Sequence, residues 1–143
     1  KLFPLGVEAI IESVELVRSG KAPKAVQDES MATYEGWCKA DDVQVDWGES
    51  TNTIFNMIRG ADPQPGANTT FKGAKLSLYD ATASSDNHAT PGTVLSIDEF
   101  GINVSTSDGN ISIGRVRESG SGKVLSAKWA ESVRLGVGDV LGT

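Results

Sequence analysis

Apolar residues near the start of the chain recur at three- and four-residue steps. Val7, Ile10, Ile11, Val14 and Val17 form one stripe, while Glu8, Glu12, Glu15 and Arg18 fall on other faces. The spacing predicts a helix over residues 4–19, with Pro4 in its first turn and Gly20 just past its end. A lone helix of this length is marginal in water, so the stripe needs a partner. Beyond it the period fades: Lys21-Ala22-Pro23-Lys24 and Gln27-Asp28-Glu29-Ser30 are polar and carry no repeat. We read an extended linker, with Tyr34 and Trp37 as anchors onto a neighbouring surface. Val43, Val45 and Trp47 then alternate, which suggests a short strand. Residues 50–59 return to a helical period, with Ile54, Phe55 and Ile58 on the buried face and Ser50 or Thr51 as the cap. An Arg59-Gly60 stop follows, then a stiff turn, Pro63-Gln64-Pro65-Gly66.

The rest of the chain reads as β-structure. A strand lies within residues 71–79, and residues 81–91 form a polar loop. Three closely spaced strands follow at 93–97, 101–105 and 110–113, and Asp108-Gly109 marks a hairpin between the last two. Residues 127–135 suit a short helix or turn. About five short strands with tight turns and a helix predict a mainly β fold with flanking helices. The expected architecture is a small OB-like β-barrel, preceded by an N-terminal helix and an extended linker. The corresponding division is residues 1–19, 20–41 and 42–143.

A chain of 143 residues suits one domain, or one domain with an arm. No apolar run approaches the length of a membrane span. Cys38 is alone, which rules out an internal disulfide and fits a reducing compartment, most simply the cytoplasm. Three Asn-x-Ser/Thr patterns, at Asn68, Asn103 and Asn110, are inert in that compartment. The net charge is −6, and from residue 42 onward eight basic side chains face twelve acidic ones. A protein that grips a polyanion normally has the opposite balance.

Catalytic chemistry is sparse. His88, the single histidine, sits in a polar loop and reads as a solvated residue. Gly120-Ser121-Gly122-Lys123 lacks the first glycine and the hydroxyl residue of a phosphate loop, since Arg117 and Val124 hold those places, so it reads as a flexible turn. Asp41-Asp42 and Asp98-Glu99 are adjacent pairs whose side chains diverge on a strand. No catalytic, cofactor-binding or metal-ligating residue is assigned. Arg115, Arg117, Lys123, Lys128 and Arg134 form the one basic cluster, a modest candidate face for an anion. Phe71, Tyr79 and Phe100 are candidate stacking surfaces, more simply read as packing.

Taken in order, several segments resemble the folate-dependent formyltransferase family. Leu2-Phe3-Pro4-Leu5-Gly6-Val7-Glu8-Ala9 looks like the last helix of its catalytic domain. Gly20-Lys21-Ala22-Pro23 and Ala32-Thr33-Tyr34-Glu35-Gly36 look like the linker in the hydrolase domain of 10-formyltetrahydrofolate dehydrogenase. Val45-Asp46-Trp47 resembles the strand that opens the family's C-terminal domain. Ile58-Arg59-Gly60 is similar to the dehydrogenase, whereas Pro63-Gln64-Pro65-Gly66-Ala67 has the spacing of methionyl-tRNA formyltransferases. Gly138-Asp139-Val140-Leu141 resembles the family's terminal tail.

The resemblance implies an OB-like C-terminal domain of an enzyme that uses 10-formyltetrahydrofolate. The catalytic Asn, His and Asp of the family would lie upstream, so the chain alone is expected to be inactive and to hold no cofactor. Its implied partner is the upstream catalytic domain. Arg59 is expected to close its helix end, and Pro63, Pro65 and Gly66 to shape the turn, with Gly66 in a conformation closed to other residues. A second reading takes Arg115, Arg117, Lys123 and Lys128 as contacts to tRNA phosphates. In a third, the apolar stripe docks on a partner, and in its natural neighbour's absence packs back on the barrel or pairs with a second copy.

Overall fold

Helix α1 spans Leu2–Arg18 and ends as its sequence requires. Gly20 adopts φ 69° and donates to Val17 O (3.1 Å), and Lys21 N donates to Leu16 O (2.9 Å), which closes the last turn. Arg18 stands in that turn, favourable for the helix dipole, and pairs with Glu15 at 3.3 Å. No residue of α1 is buried. The computed structural model describes residues 2–86 and 89–143. The chain divides into two units, Lys1–Gly36 and Trp37–Thr143. Besides α1, the first unit holds a 3₁₀ turn, Glu29–Met31, capped by Asp28. The Ser30 hydroxyl and amide bond the Asp28 carboxylate and hold its pKa below the usual 3.8. Tyr34 and Trp37, expected as anchors, are exposed.

The second unit opens with a 3₁₀ turn, Ala40–Val43. Val43, Val45 and Trp47 are buried in alternation, yet they form no strand. A single parallel bridge, Gln44 to Asn68, is all the ladder they make, because Asp46 takes the Gly48 amide (2.8 Å) and turns the chain away. The period-2 signal here recorded one-sided burial rather than strand pairing. Helix α2, Thr51–Ala61, begins at Ser50, whose hydroxyl accepts from Thr53 N (3.1 Å). It buries Ile54, Ile58 and Ala61, one face of a helix.

Six antiparallel strands make one sheet: β1 (Asn68–Phe71), β2 (Ala74–Ser84), β3 (Val94–Asp98), β4 (Gly101–Ser105), β5 (Asn110–Glu118) and β6 (Val124–Leu125). The order is β1-β2-β5-β4-β3, with β6 added to β5. Lys72 and Gly73, both at positive φ, make the tight turn from β1 to β2. Asp108-Gly109 lies in the β4–β5 hairpin as expected. Asp108 also accepts from Thr51 N (2.7 Å) and so ties the hairpin to the start of α2. Helix α3, Ser126–Val133, covers the sheet with Trp129 and Ala130 buried. Ile54, Leu78, Val94, Val104, Ile111 and Ile113 are fully buried in the core.

The expected closed barrel is corrected by this order. β1 and β3 are the two edges of the sheet and do not pair with each other. The C-terminal tail lies between them instead. Val94 N donates to Asp139 O and Leu141 N to Gly92 O on the β3 side, while Gly142 N donates to Thr70 O on β1. Leu141 inserts into the core beneath these bonds. A tail that meets both edges satisfies backbone groups that strand-to-strand closure would otherwise pair.

Candidate functional site

Two neighbouring strands change face midway. Leu78 and Tyr79 are consecutive and both buried, a break in strict alternation. At the next residue, Asp80, φ is 55°, and Gly114 of β5 leaves it room: a Cβ there would lie 3.2 Å from the Asp80 Cβ. The kink sends Tyr79, Arg115 and Arg117 to one end of the face and Thr82, Asn110 and Ser112 to the other. The two ends differ in chemistry.

At the first end, the proline turn folds over Tyr79. Gly66 N donates to Ala61 O (2.9 Å), and Leu78 N donates to Ala67 O (2.7 Å), which pins the turn to β2. Gly66 has φ 88°, and a Cβ at that position would stand 2.5 Å from the Tyr79 hydroxyl. Glycine is therefore required twice, by conformation and by space. The Tyr79 hydroxyl is sealed from solvent without a hydrogen-bond partner. Above the ring lie two cations, Lys123 Nζ at 3.6 Å from the centroid and the Arg117 guanidinium at 5.4 Å.

Both cations are also engaged by the turn. Lys123 pairs with Asp62 (2.7 Å), and Arg117 donates to Pro65 O (3.3 Å). Arg115 forms a two-pronged pair with Asp80. That hydrogen bond, helped by the charges of Arg115 and Lys123, holds the Asp80 carboxyl below the usual carboxylate range and pushes Arg115 up. The structure thus brings Arg115, Arg117, Lys123, Pro65 and Gly66 together, with Pro63 beside them in the turn. Lys128 is exposed on α3 and stands outside the Tyr79 cluster, and Arg134 ends that helix in a left-handed conformation. Arg59 occupies the last turn of α2, where it donates to Asn56 (3.0 Å) and lies over Phe55.

The remaining sequence candidates are structural. Phe71 packs edge-on against Trp129 and Tyr79 is covered, so Phe100 alone of the three rings is exposed. Asp42 accepts from Lys39 N, Asp98 accepts from Phe100 N and Gly101 N, and Gly120 makes a turn at φ 79°. His88 lies outside the described residues. Among the described residues no group of three or more acidic, His or Cys side chains is placed to hold a metal. Sequence reasoning found the basic residues but missed Tyr79 as the surface that gathers them, and Asp62 and Asp80 as their partners. The only available signal was the match of charges across Asp62/Lys123 and Asp80/Arg115, which are 61 and 35 residues apart.

Residues 38–134 match the family model described as "Formyl transferase, C-terminal domain". The chain belongs to this family. A methionyl-tRNA formyltransferase of Roseiflexus castenholzii is 35% identical over 144 residues, covering 99% of this chain and 46% of that protein. The human mitochondrial 10-formyltetrahydrofolate dehydrogenase is 42% identical over 81 residues, covering 57% of this chain and 9% of that protein. HypX of Aquifex aeolicus, solved in complex with tetrahydrofolic acid, superposes with a TM-score of 0.75 at 27% identity, covering 92% of this chain and 23% of that one. The chain thus spans about half the length of the methionyl-tRNA formyltransferase it matches. No helix among the described residues is long and apolar enough to cross a membrane.

Proposed function

We propose that this chain is the C-terminal accessory part of a cytoplasmic enzyme that takes the formyl group of 10-formyltetrahydrofolate and passes it to an acceptor or to water. The family match across residues 38–134 carries this reading. The OB-like architecture is part of the proposal: an antiparallel sheet whose edges are joined through the tail acts as a brace for a neighbouring reaction centre. The chain's partner is the preceding catalytic part of the same protein. Two observations support that occupant. α1 leaves Phe3, Val7, Ile10, Ile11, Val14 and Val17 exposed, and the relative from Roseiflexus is about twice as long as the stretch it shares with this chain. The direct test is an assay with 10-formyltetrahydrofolate: the chain alone turns over nothing, and addition of the preceding part restores activity. Turnover by the chain alone overturns the assignment. Light scattering tests the occupant of α1. A homodimer that Ile10→Lys dissociates would make a second copy the partner.

A second reading is a tRNA contact surface, favoured by the likeness to a methionyl-tRNA formyltransferase along 99% of the chain. The electrostatics weigh against it. Arg115 and Lys123 already have carboxylate partners, and each phosphate contact needs a free cation. Salt-sensitive tRNA binding lost on replacing Arg115, Arg117, Lys123 and Lys128 supports the second reading, and the absence of binding at low salt removes it.

A further inference from the structure

Beyond the kink at Asp80, the same face of the sheet opens into a groove of about 730 Å³. We propose that this groove binds a neutral, hydroxyl-rich ligand of the oligosaccharide type. The strand register lines its floor. Thr82 stands opposite Ser112, and Ser112 opposite Asn103, so two hydroxyls and an amide lie side by side across β2, β5 and β4. Adjacent strands are about 4.8 Å apart, close to the width of a pyranose ring, so the row offers hydrogen bonds at a sugar's own spacing. The Asn103 amide oxygen is buried at the groove floor and has no hydrogen-bond partner, an unsatisfied acceptor beside the two hydroxyls.

Phe100 stands on the rim with 76% of its surface exposed. An exposed ring beside a row of polar side chains is the surface on which the C–H face of a sugar stacks. The volume falls within the range typical of small-ligand sites.

A polar strand face flanked by an exposed ring suits either an oligonucleotide or an oligosaccharide. The lining here decides between the two. It includes Asp98 and Asp86 and not one Lys or Arg, and the nearby Arg115 is held by Asp80. A phosphate chain gains its affinity from cations and is repelled by such a lining. A neutral polyol meets the same carboxylates as hydrogen-bond acceptors.

The test titrates the 143-residue chain with maltotriose, cellotriose and chitotriose, followed by NMR, with decathymidylate as the polyanionic comparison. At least one trisaccharide is expected to saturate, shifting the amide signals of Phe100, Asn103 and Ser112. Phe100→Ala is expected to weaken that binding by roughly tenfold, and Ser112→Arg, which fills the floor, to abolish it. Phe100 is exposed, so the alanine variant should melt with the wild type and separate recognition from folding. Saturation by none of the three sugars up to about 10 mM, or binding that survives both substitutions, overturns the proposal. So does decathymidylate competing for the groove. None of these readouts depends on formyl transfer, so failure here leaves the proposed enzyme role standing, and the reverse.

Discussion

The two ends of one sheet face use the same raw material in opposite ways. At the Tyr79 end, charged groups are consumed internally: Lys123 by Asp62, Arg115 by Asp80 and Arg117 by the Pro65 carbonyl. A covering turn excludes water from the ring beneath. At the Thr82–Ser112–Asn103 end the polar side chains line a groove instead. Composition alone would rank the first end as the binding surface, because it holds the cations. Tertiary pairing reverses the ranking. A cation that already has a carboxylate at hydrogen-bond distance carries less net positive charge to an incoming anion.

This contrast can be broken most severely at Gly66. Gly66→Val forces a left-handed β-branched residue against the Tyr79 hydroxyl, and we expect a loss of at least about 3 kcal/mol in urea unfolding. The same substitution in a Tyr79→Phe background should lose less, because the hydroxyl is the nearest obstacle. An undiminished loss would mean that backbone conformation alone sets the requirement.

Leu141→Ala probes the tail that serves both ends by meeting both sheet edges. Removing a buried leucine should cost about 2–4 kcal/mol, read from the denaturation midpoint. A cost below about 1 kcal/mol would show the tail to be dispensable.

Tyr79→Phe is a smaller change and of opposite sign. The hydroxyl is buried and unpaired, so its removal should be neutral or stabilising by up to about 1 kcal/mol. Clear destabilisation would reveal a hydrogen bond to that oxygen.

The smallest effect should come from Asp80→Asn. The Asp80–Arg115 pair is about 40% exposed, so solvent screening keeps its contribution small. Asp80 has a depressed folded pKa, so its contribution is present above the ordinary carboxylate value of 3.8 and is lost as pH falls through the lower folded value. The difference between wild type and Asp80→Asn should therefore be visible at neutral pH and vanish in acid below that folded value. A difference that grew on acidification would contradict the assigned pairing.

Much of the fold was legible from local pattern. The stripe of Val7, Ile10, Ile11, Val14 and Val17 marked α1, Ser50 marked the start of α2, and Asp108-Gly109 marked its hairpin. Each depends on residues within a few positions of one another, where side-chain period and turn chemistry act directly on the backbone. The conformational demand at Gly66 was legible for the same reason. Local pattern misled at Val43, Val45 and Trp47, where alternating burial arose without a partner strand, and in residues 81–84, where polar side chains concealed a strand that β5 pairs along its length.

Sequence by itself therefore determined the helices and the hairpin strands, the family and the acid balance of the chain, because these follow from residue type and near-neighbour spacing. Only the tertiary structure decided that the sheet stays open at its edges with a tail between them. It alone decided that Arg115, Arg117 and Lys123 meet partners within the fold, and that the polar end of the face lines a groove. Those outcomes depend on which residues meet across 35 to 61 positions of chain, and no local signal encodes such a meeting.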